Sequence, residues 1–202
     1  MNQKQPETLH IVPSGGFSSE VQALAKSLGY NDFKFYDDGI PSFKKLAEFP
    51  SEALAVIAAG SSELRMKIVQ ELPADTRFPT LIHKSVLLMD PSSTEIGKGT
   101  LIAAASVCTT NIQIGNFVVI NLHCSIGHGC KIADFVSLMP GVRISGEVKI
   151  HQGAYLGSNA VILPNITIGE NATIGAGAVV TKDVAANTTV AGVPAKPIIT
   201  KS

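Results

Sequence analysis

The sequence of 202 residues contains no tryptophan, and aromatic residues make up only 5% of it. Proteins that bind single-stranded nucleic acid stack the bases on aromatic side chains, so this composition argues against such a surface. Neither sign of charge is in excess, because 16 Lys and Arg balance 16 Asp and Glu. Without a basic excess we expect neither a nucleic acid nor an anionic membrane as a partner.

Signals for export and pairs of cysteines are also lacking. No apolar run of the kind that a signal peptide or a membrane-spanning helix needs occurs near the amino terminus, so we expect a cytoplasmic protein. The three cysteines, Cys108, Cys124 and Cys130, fit neither a disulfide framework nor a paired CxxC zinc site. We interpret them as core residues.

What the sequence does contain is a repeat of six residues. Counting in sixes from Ile96 to Val180 meets an aliphatic residue at every step except Cys108: Ile96, Ile102, Ile114, Ile120, Ile126, Ile132, Leu138, Ile144, Ile150, Leu156, Ile162, Ile168, Ile174 and Val180. A period of six fits neither a helix nor a simple sheet, but it fits a triangular solenoid in which each hexad supplies one short strand and one corner. Three hexads close one coil, so the series predicts about five coils stacked at the usual strand separation of about 4.8 Å.

The residues before the repeat predict a small parallel β-α-β unit, with strands at 9–12, 33–36 and 53–59 and helices at 18–27 and about 62–71. The turn Gly15-Gly16 joins the first strand to the first helix. Such a turn either holds a phosphate at the helix amino terminus or is an ordinary tight connection. The predicted fold is therefore a left-handed parallel β-helix at 89–202, ending in a carboxyl-terminal tail, behind a small amino-terminal α/β Rossmann-like domain at 1–88.

These patterns resemble the hexapeptide-repeat sugar acetyltransferases of bacteria, which include UDP-4-amino-sugar N-acetyltransferases and the sialic acid O-acetyltransferase group. The resemblance covers nearly the whole chain and rests on these motifs: Gly15-Gly16, Phe35-Tyr36-Asp37-Asp38, Leu81-Ile82-His83-Lys84-Ser85, Ile120-Asn121 before His128, Val179-Val180-Thr181-Lys182-Asp183 and Ala191-Gly192-Val193-Pro194-Ala195-Lys196. It implies an acetyl-CoA-dependent acetyltransferase that acts on a nucleotide-linked amino sugar in bacterial glycan biosynthesis. It also implies a homotrimer with active sites between neighbouring solenoids, a nucleotide-sugar-binding amino-terminal domain and no metal.

The resemblance also gives roles to particular residues. His128 corresponds to the general base, which would take a proton from the sugar amine or hydroxyl as it attacks the thioester. Contacts to the nucleotide sugar are implied for Gly15, Gly16, Phe17, Asp37, Asp38 and Gly60, and contacts to acetyl-CoA for Ser137, Gly146, Ser158 and Ala176. Three positions depart from the family: Gly129 follows the base where an acidic residue is usual, Ser137 stands where some relatives have a histidine, and Phe17-Ser18 replace a His-Gly pair.

The period itself suggests a substitute for the missing acid. Glu147 lies one coil after Gly129, so we expect it to stack on Gly129 and to orient His128. Glutamate is usually exposed, and a solvated corner residue is the alternative interpretation.

Two other functions stay open. His123 and His128 resemble the zinc-binding pair of the γ-class carbonic anhydrases, but the third imidazole that a catalytic zinc site needs has no counterpart, since Leu87 stands two coils before His123. The second alternative is a non-catalytic scaffold, or an enzyme with an altered substrate, because one fold hosts many functions.

Overall fold

The amino-terminal part of the chain is a three-stranded parallel sheet with two helices. The computed structural model describes residues 7–13, 16–39, 42 and 44–198. Strands β1 (Leu9–Pro13), β2 (Phe33–Phe35) and β3 (Leu54–Ala58) lie in the order β2-β1-β3. Helices α1 (Phe17–Ser27) and α2 (Ser62–Glu71) connect them, with a 3-10 helix at Leu46–Glu48. The predicted elements are confirmed to within one residue at each end.

Local sequence explains these elements. Helix α1 buries Val21 and Ala25 against the apolar face of the sheet. Helix α2 begins after Ser61, whose hydroxyl accepts a hydrogen bond from the Leu64 N–H and so caps the helix. Neither helix in the described residues is long and apolar enough to cross a membrane. Since the three strands are parallel, their carboxyl ends meet at one edge of the sheet.

The rest of the chain forms a parallel β-solenoid with three sheets, which we call S1, S2 and S3. S1 contains β4 (Leu81–Ile82), β7 (Leu101–Ile102), β10 (Val119–Ile120), β13 (Ser137–Leu138), β16 (Tyr155–Leu156), β19 (Thr173–Ile174) and β21 (Thr189–Ala191), with β22 (Lys196–Pro197) antiparallel at its end. S2 contains β5 (Leu87–Leu88), β8 (Val107–Cys108), β11 (Ser125–Ile126), β14 (Arg143–Ile144), β17 (Val161–Ile162) and β20 (Val179–Val180). S3 contains β6 (Thr94–Ile96), β9 (Ile112–Ile114), β12 (Lys131–Ile132), β15 (Lys149–Ile150) and β18 (Thr167–Ile168).

Backbone hydrogen bonds and the aliphatic series hold the coils together. Ile126 pairs with Ile144, and Ile144 pairs with Ile162, so each strand lies one coil above its partner. The aliphatic side chains point into one continuous buried core. Each of them contributes roughly 1.5–3 kcal/mol through burial. We name each corner by the two sheets that it joins, as S1–S2, S2–S3 or S3–S1.

The predicted number of coils was too low. S2 has six strands, because Leu87–Leu88 already pairs with the following coil, as Leu81–Ile82 does in S1. The six-residue count missed this coil because the step from Leu88 to Ile96 is longer, and a 3-10 helix at Pro91–Ser93 occupies the additional residues. The strand ladder of the solenoid therefore begins before residue 89, while the division of the chain into domains at residue 88 stays a prediction.

The three cysteines lie in this core, as predicted. Cys108, Cys124 and Cys130 are buried and form no disulfide. Burial raises the pKa of the Cys108 thiol to about 12 and that of the Cys124 thiol to about 11. The Cys124 and Cys130 thiols donate to the carbonyls of Met139 and Ser145 in the next coil. These cysteines are therefore protonated packing residues and not nucleophiles.

One buried arginine joins the amino-terminal part to the solenoid. Arg65 of α2 is 1% exposed, and no carboxylate in the described ranges pairs with it. Its Nε donates to the Phe117 carbonyl at 2.9 Å, Nη2 to the Phe135 carbonyl at 2.7 Å and Nη1 to the Ala59 carbonyl at 2.8 Å. Burial lowers the pKa of Arg65 to about 9, so the guanidinium still carries its charge at neutral pH. One side chain thus ties the end of β3 to two successive S3–S1 corners.

Replacing Arg65 with lysine should lower the free energy of unfolding by roughly 2–4 kcal/mol. An ammonium group cannot reach the Phe117 and Phe135 carbonyls together, and each buried group left unpaired costs about 1–3 kcal/mol. Urea unfolding followed by circular dichroism measures the change. The control is Arg77→Lys, because Arg77 forms an exposed ion pair with Glu7 and should change stability by no more than about 0.5 kcal/mol. Equal small losses in the two variants would contradict the role given to Arg65.

Candidate active site

His128 lies at the S2–S3 corner that follows β11, and its side chain is exposed. The corner begins at Gly127, where a Cβ would come within 2.7 Å of the Gly146 nitrogen in the next coil. Only glycine therefore lets the two coils approach here. The Glu147 N–H donates to the His128 carbonyl at 2.8 Å. His128 and the pair Gly146-Glu147 thus occupy neighbouring coils of one corner.

The imidazole of His128 lies across the backbone of Gly146. A Cβ on Gly146 would be 2.4 Å from Cε1, 2.6 Å from Nε2 and 2.9 Å from Nδ1 of His128. The edge of the ring that carries both nitrogens therefore lies against a residue without a side chain. Within the described part of the chain the Gly146 N–H donates no hydrogen bond. A possible base thus lies against a residue with an unused backbone donor, and acyl transfer uses groups of both kinds.

Glu147 lies on Gly129, as the six-residue period predicted. Its Oε1 would be 2.2 Å from a Cβ on Gly129. Both residues have a left-handed backbone, with φ of 60° at Glu147 and 68° at Gly129. For a glutamate this conformation costs about 1–2 kcal/mol. No hydrogen bond joins the carboxylate to the imidazole among the residues described, so the role of Glu147 in orienting His128 stays a prediction.

Ser158 and Ala176 lie at two successive S1–S2 corners, on the opposite side of S2 from His128. The Gly177 N–H donates to the Ser158 carbonyl at 2.8 Å, which places the two corners in neighbouring coils. Like Gly146, Ser158 and Ala176 have backbone N–H groups that donate no hydrogen bond inside the described ranges. They form a ladder of available donors, but one chain does not bring them to His128.

Ser137 lies elsewhere, beneath the amino-terminal part. It is 0% exposed, and its hydroxyl donates to the Gly60 carbonyl at 2.8 Å while Arg65 Nη2 donates to it at 3.0 Å. The Ser62 hydroxyl is a third partner, at 3.2 Å. All of these partners belong to the joint between the two parts of the chain. The surroundings of Ser137 therefore do not support the contact with acetyl-CoA that the resemblance implied for it.

The residues expected to hold a nucleotide sugar gather at the carboxyl edge of the amino-terminal sheet. Gly16 follows β1, the pair Asp37-Asp38 follows β2, and Gly60 follows β3. Asp37 Oδ1 accepts the Gly39 N–H at 2.8 Å, and Asp38 Oδ1 accepts the Leu46 N–H at 2.9 Å. Gly15 lies outside the described residues. Ligands of parallel α/β sheets bind at this edge, where the strand order reverses around the central strand.

Two cavities open beside this edge. The first, of about 300 Å³, lies between α1 and an S1–S2 corner and is lined by residues that include Phe17, Leu24, His83, Asn121 and Leu122. The second, of about 760 Å³, lies between the start of α2 and S1 and is lined by residues that include Gly60, Ser61, Glu63, Met66 and Tyr155. Phe17 and Gly60, both expected to touch the nucleotide sugar, therefore face different cavities.

Several residues of this region were not predicted. Tyr155 lies one coil after Ser137 on the outer side of S1, where the six-residue pattern allows any residue type. A large aromatic residue at such an outward position was the available signal. Glu63 lines the same cavity, from the first turn of α2. Arg65 could not be recognised, because its partners are backbone carbonyls far away in the sequence.

The histidine pair that suggested zinc is divided between two corners. His123 lies at an S1–S2 corner, whereas His128 lies at the next S2–S3 corner. In the described ranges no group of three or more His, Cys, Asp or Glu side chains is placed to hold a metal ion. The geometry of the chain therefore gives the zinc interpretation no support.

Comparison with known proteins defines the class. Residues 147–182 match the family model "Bacterial transferase hexapeptide (six repeats)". The chain is 30% identical to the acetyltransferase domain of PglB from Neisseria gonorrhoeae FA1090, solved in complex with acetyl coenzyme A. That match covers 95% of this chain and 99% of the other, with a TM-score of 0.86. This protein belongs to the bacterial hexapeptide-repeat transferase family, as the sequence motifs predicted.

Two further similar proteins are perosamine N-acetyltransferases. Over 107 residues the chain is 37% identical to GDP-perosamine N-acetyltransferase of Escherichia coli O157:H7, a match that covers 52% of this chain and 48% of that relative. The chain thus spans about half the length of this curated relative. A mutant perosamine N-acetyltransferase from Caulobacter crescentus, solved with CoA and GDP-perosamine, is 25% identical over 96% of this chain and 97% of the other, with a TM-score of 0.85.

Proposed function

We propose that this protein transfers the acetyl group of acetyl-CoA to an amino or hydroxyl group of a nucleotide-linked sugar in bacterial glycan biosynthesis, with His128 as general base. The observation that carries the proposal is the contact of the imidazole nitrogens with Gly146, whose N–H is unused. The relatives support the substrates, since the PglB domain was solved with acetyl coenzyme A and the Caulobacter enzyme with CoA and GDP-perosamine. The solenoid would be the left-handed β-helix of the family, behind a Rossmann-like domain.

The proposed reaction is a direct transfer. The acceptor nitrogen or oxygen attacks the thioester carbonyl carbon while His128 takes its proton. A tetrahedral oxyanion forms, and the Gly146 N–H is available to donate a hydrogen bond to it. The C–S bond then breaks, and the imidazolium returns the proton to the departing thiolate of CoA. Glu147 would keep the imidazole oriented, and no metal takes part.

The acceptor would be held at the carboxyl edge of the amino-terminal sheet. Gly16 and Gly60 have open space where a side chain would stand and would let a nucleotide approach the backbone at this edge. The resemblance implies the same contact for Gly15. Asp37 and Asp38 offer carboxylate oxygens to ribose or sugar hydroxyls. Phe17 faces the cavity near Asn121 and would contact the sugar itself. Ser158 and Ala176 would donate their N–H groups to acetyl-CoA.

A homotrimer would complete the site. Large exposed apolar side chains lie on S2 or at the corners beside it: Leu87, Met89, Leu122 and Leu163. Exposed apolar side chains of this size favour burial against another chain. If S2 faces a threefold axis, each S2–S3 corner meets the S1–S2 corner of its neighbour. His128 would then face the donors Ser158 and Ala176 of the partner subunit.

Sedimentation of the wild-type protein should give a particle mass three times the chain mass of 21.1 kDa. Leu87→Asp places a charge on S2 and should release subunits of single-chain mass, whereas Gln113→Asp, at an exposed strand position on S3, should leave the trimer intact. Sedimentation velocity measures both. A monomeric wild type that still transfers acetyl groups would rule out a site shared between subunits.

His128→Ala should lower kcat by about 10²- to 10⁴-fold, which is the usual effect of removing a positioned base. The assay follows CoA release from acetyl-CoA with UDP-, GDP- and dTDP-linked amino sugars as acceptors. His151→Ala is the matched control, because His151 is also an exposed corner histidine but lies at an S3–S1 corner, away from S2. Full activity in His128→Ala would give the role of base to another group. No transfer to any acceptor by the wild type would favour the non-catalytic scaffold.

Asp37→Ala should raise the KM for the nucleotide sugar by roughly 10- to 150-fold, since a hydrogen bond to a charged group is worth about 1.5–3 kcal/mol. The KM for acetyl-CoA should stay unchanged, because S2 and its corners lie in the other part of the chain. Asp32→Ala, at the loop before β2, is the control carboxylate. Steady-state kinetics with each substrate varied separately measures the split, and an equal rise in both KM values would indicate damage to the fold instead.

A further inference from the structure

The glycine at position 146 needs an explanation of its own. Every other described glycine of the solenoid has either a left-handed backbone or a backbone atom among the three atoms nearest to its absent Cβ. Gly127, for example, lies against the backbone of Ser145 and Gly146, and Gly129 has a φ of 68°. Gly146 has no left-handed φ, and its three nearest atoms all belong to the His128 ring. The atoms that a side chain on Gly146 would meet first are therefore those of this one ring.

We propose that Gly146 is a positioning residue for His128, because its missing side chain lets the nitrogen-bearing edge of the imidazole lie against the next coil. The inference rests on the proposed function, which takes His128 as the base. An exposed histidine without such a support would sample several rotamers in solvent. Contact of Nδ1, Cε1 and Nε2 with Gly146 restricts that motion.

At the same corner, a side chain of the later coil also packs on a glycine of the earlier coil. The Glu147 carboxylate lies on Gly129, one residue away from the contact of His128 with Gly146. The packing between the two neighbouring coils is therefore reciprocal. His128 of one coil lies against Gly146 of the next, and Glu147 of that next coil lies against Gly129. This reciprocal packing fixes the level of His128 along the solenoid as well as its ring orientation. A misplacement of about 1 Å at such a group lowers a rate by up to about 10²-fold.

Gly146→Ala tests the inference with little disturbance of the backbone. Alanine adopts a φ outside the left-handed region without strain, so stability should stay level or rise slightly. The new methyl group would fall 2.4 Å from Cε1, and the imidazole must move away. We expect kcat to fall about 10- to 100-fold, while the KM values for acetyl-CoA and the sugar change less than about threefold. The N–H of residue 146 is retained.

The same substitution in His128→Ala separates positioning from a direct block of acetyl-CoA. If Gly146→Ala acts through the imidazole, it should cause no further loss of the residual activity in that background. An equal fall in both backgrounds, or a large rise in the KM for acetyl-CoA, would overturn the inference. Either result would mean that the methyl group obstructs the cosubstrate.

A spectroscopic readout makes the test independent of turnover. In protein labelled with ¹³C at histidine Cε1, the His128 signal is identified by its loss in His128→Ala. The wild type should show a nuclear Overhauser effect between the His128 Cε1 proton and the Gly146 α-protons, and Gly146→Ala should shift that signal alone among the five histidines. An unmoved His128 signal would overturn the inference even if activity fell. If the wild type acetylates no acceptor, the proposed function fails, while this measurement still decides the contact.

Discussion

The hydrogen bonds between successive coils are the constraint on which the rest of the structure depends. Because Ile126 pairs with Ile144 and Lys131 with Lys149, each corner residue has a fixed neighbour one coil away. The buried aliphatic column makes a slip of one residue costly, since it would turn the column out into solvent. His128, Gly146 and Glu147 are therefore placed by the ladder, and their contacts need no long-range loop to create them.

The amino-terminal part depends on a second constraint, the burial of Arg65. A charge without a carboxylate partner is costly to desolvate, and here carbonyl dipoles and the Ser137 hydroxyl offset that cost. Arg65 Nη1 also donates to the Gly60 carbonyl, at 3.1 Å. The loop after β3 is therefore held against the solenoid by the same groups that bury the charge. Gly60, at the edge that would receive a nucleotide, belongs to this loop.

Much of this structure could be predicted from the sequence, because residues separated by one full coil of a solenoid lie in contact. The position of Glu147 on Gly129 followed from the period alone, and the parallel strands of the amino-terminal part followed from their apolar runs and glycine turns. Contacts made by one side chain to distant backbone carbonyls, such as those of Arg65, leave no periodic trace. The hydrogen bonds of Ser137 could not be predicted for the same reason, since an outward position on S1 says nothing about what covers it.

Sequence spacing also cannot predict which edge of S2 contacts a neighbouring subunit. The six-residue period gives the position of each residue within one chain and says nothing about contacts between chains. His128 lies at one edge of S2 and Ser158 at the other, so the width of the sheet separates them within one chain. A resemblance to known enzymes suggested that they act together, whereas a single chain keeps them apart. The exposed apolar residues on S2 and at the corners beside it give a physical reason to expect a second chain there.

The longer step between Leu88 and Ile96 has a consequence for how such a chain can change in evolution. Additional residues were accommodated at a corner near one end of the stack, where the 3-10 helix at Pro91–Ser93 absorbs them and Leu87–Leu88 still pairs with the coil above. Between His128 and Gly146, two additional residues within a strand instead of at a corner would break the pairing that brings these two residues together and would shift every later strand. Length variation in descendants of this chain is thus confined to the ends of the stack, to corner loops or to the gain and loss of whole coils.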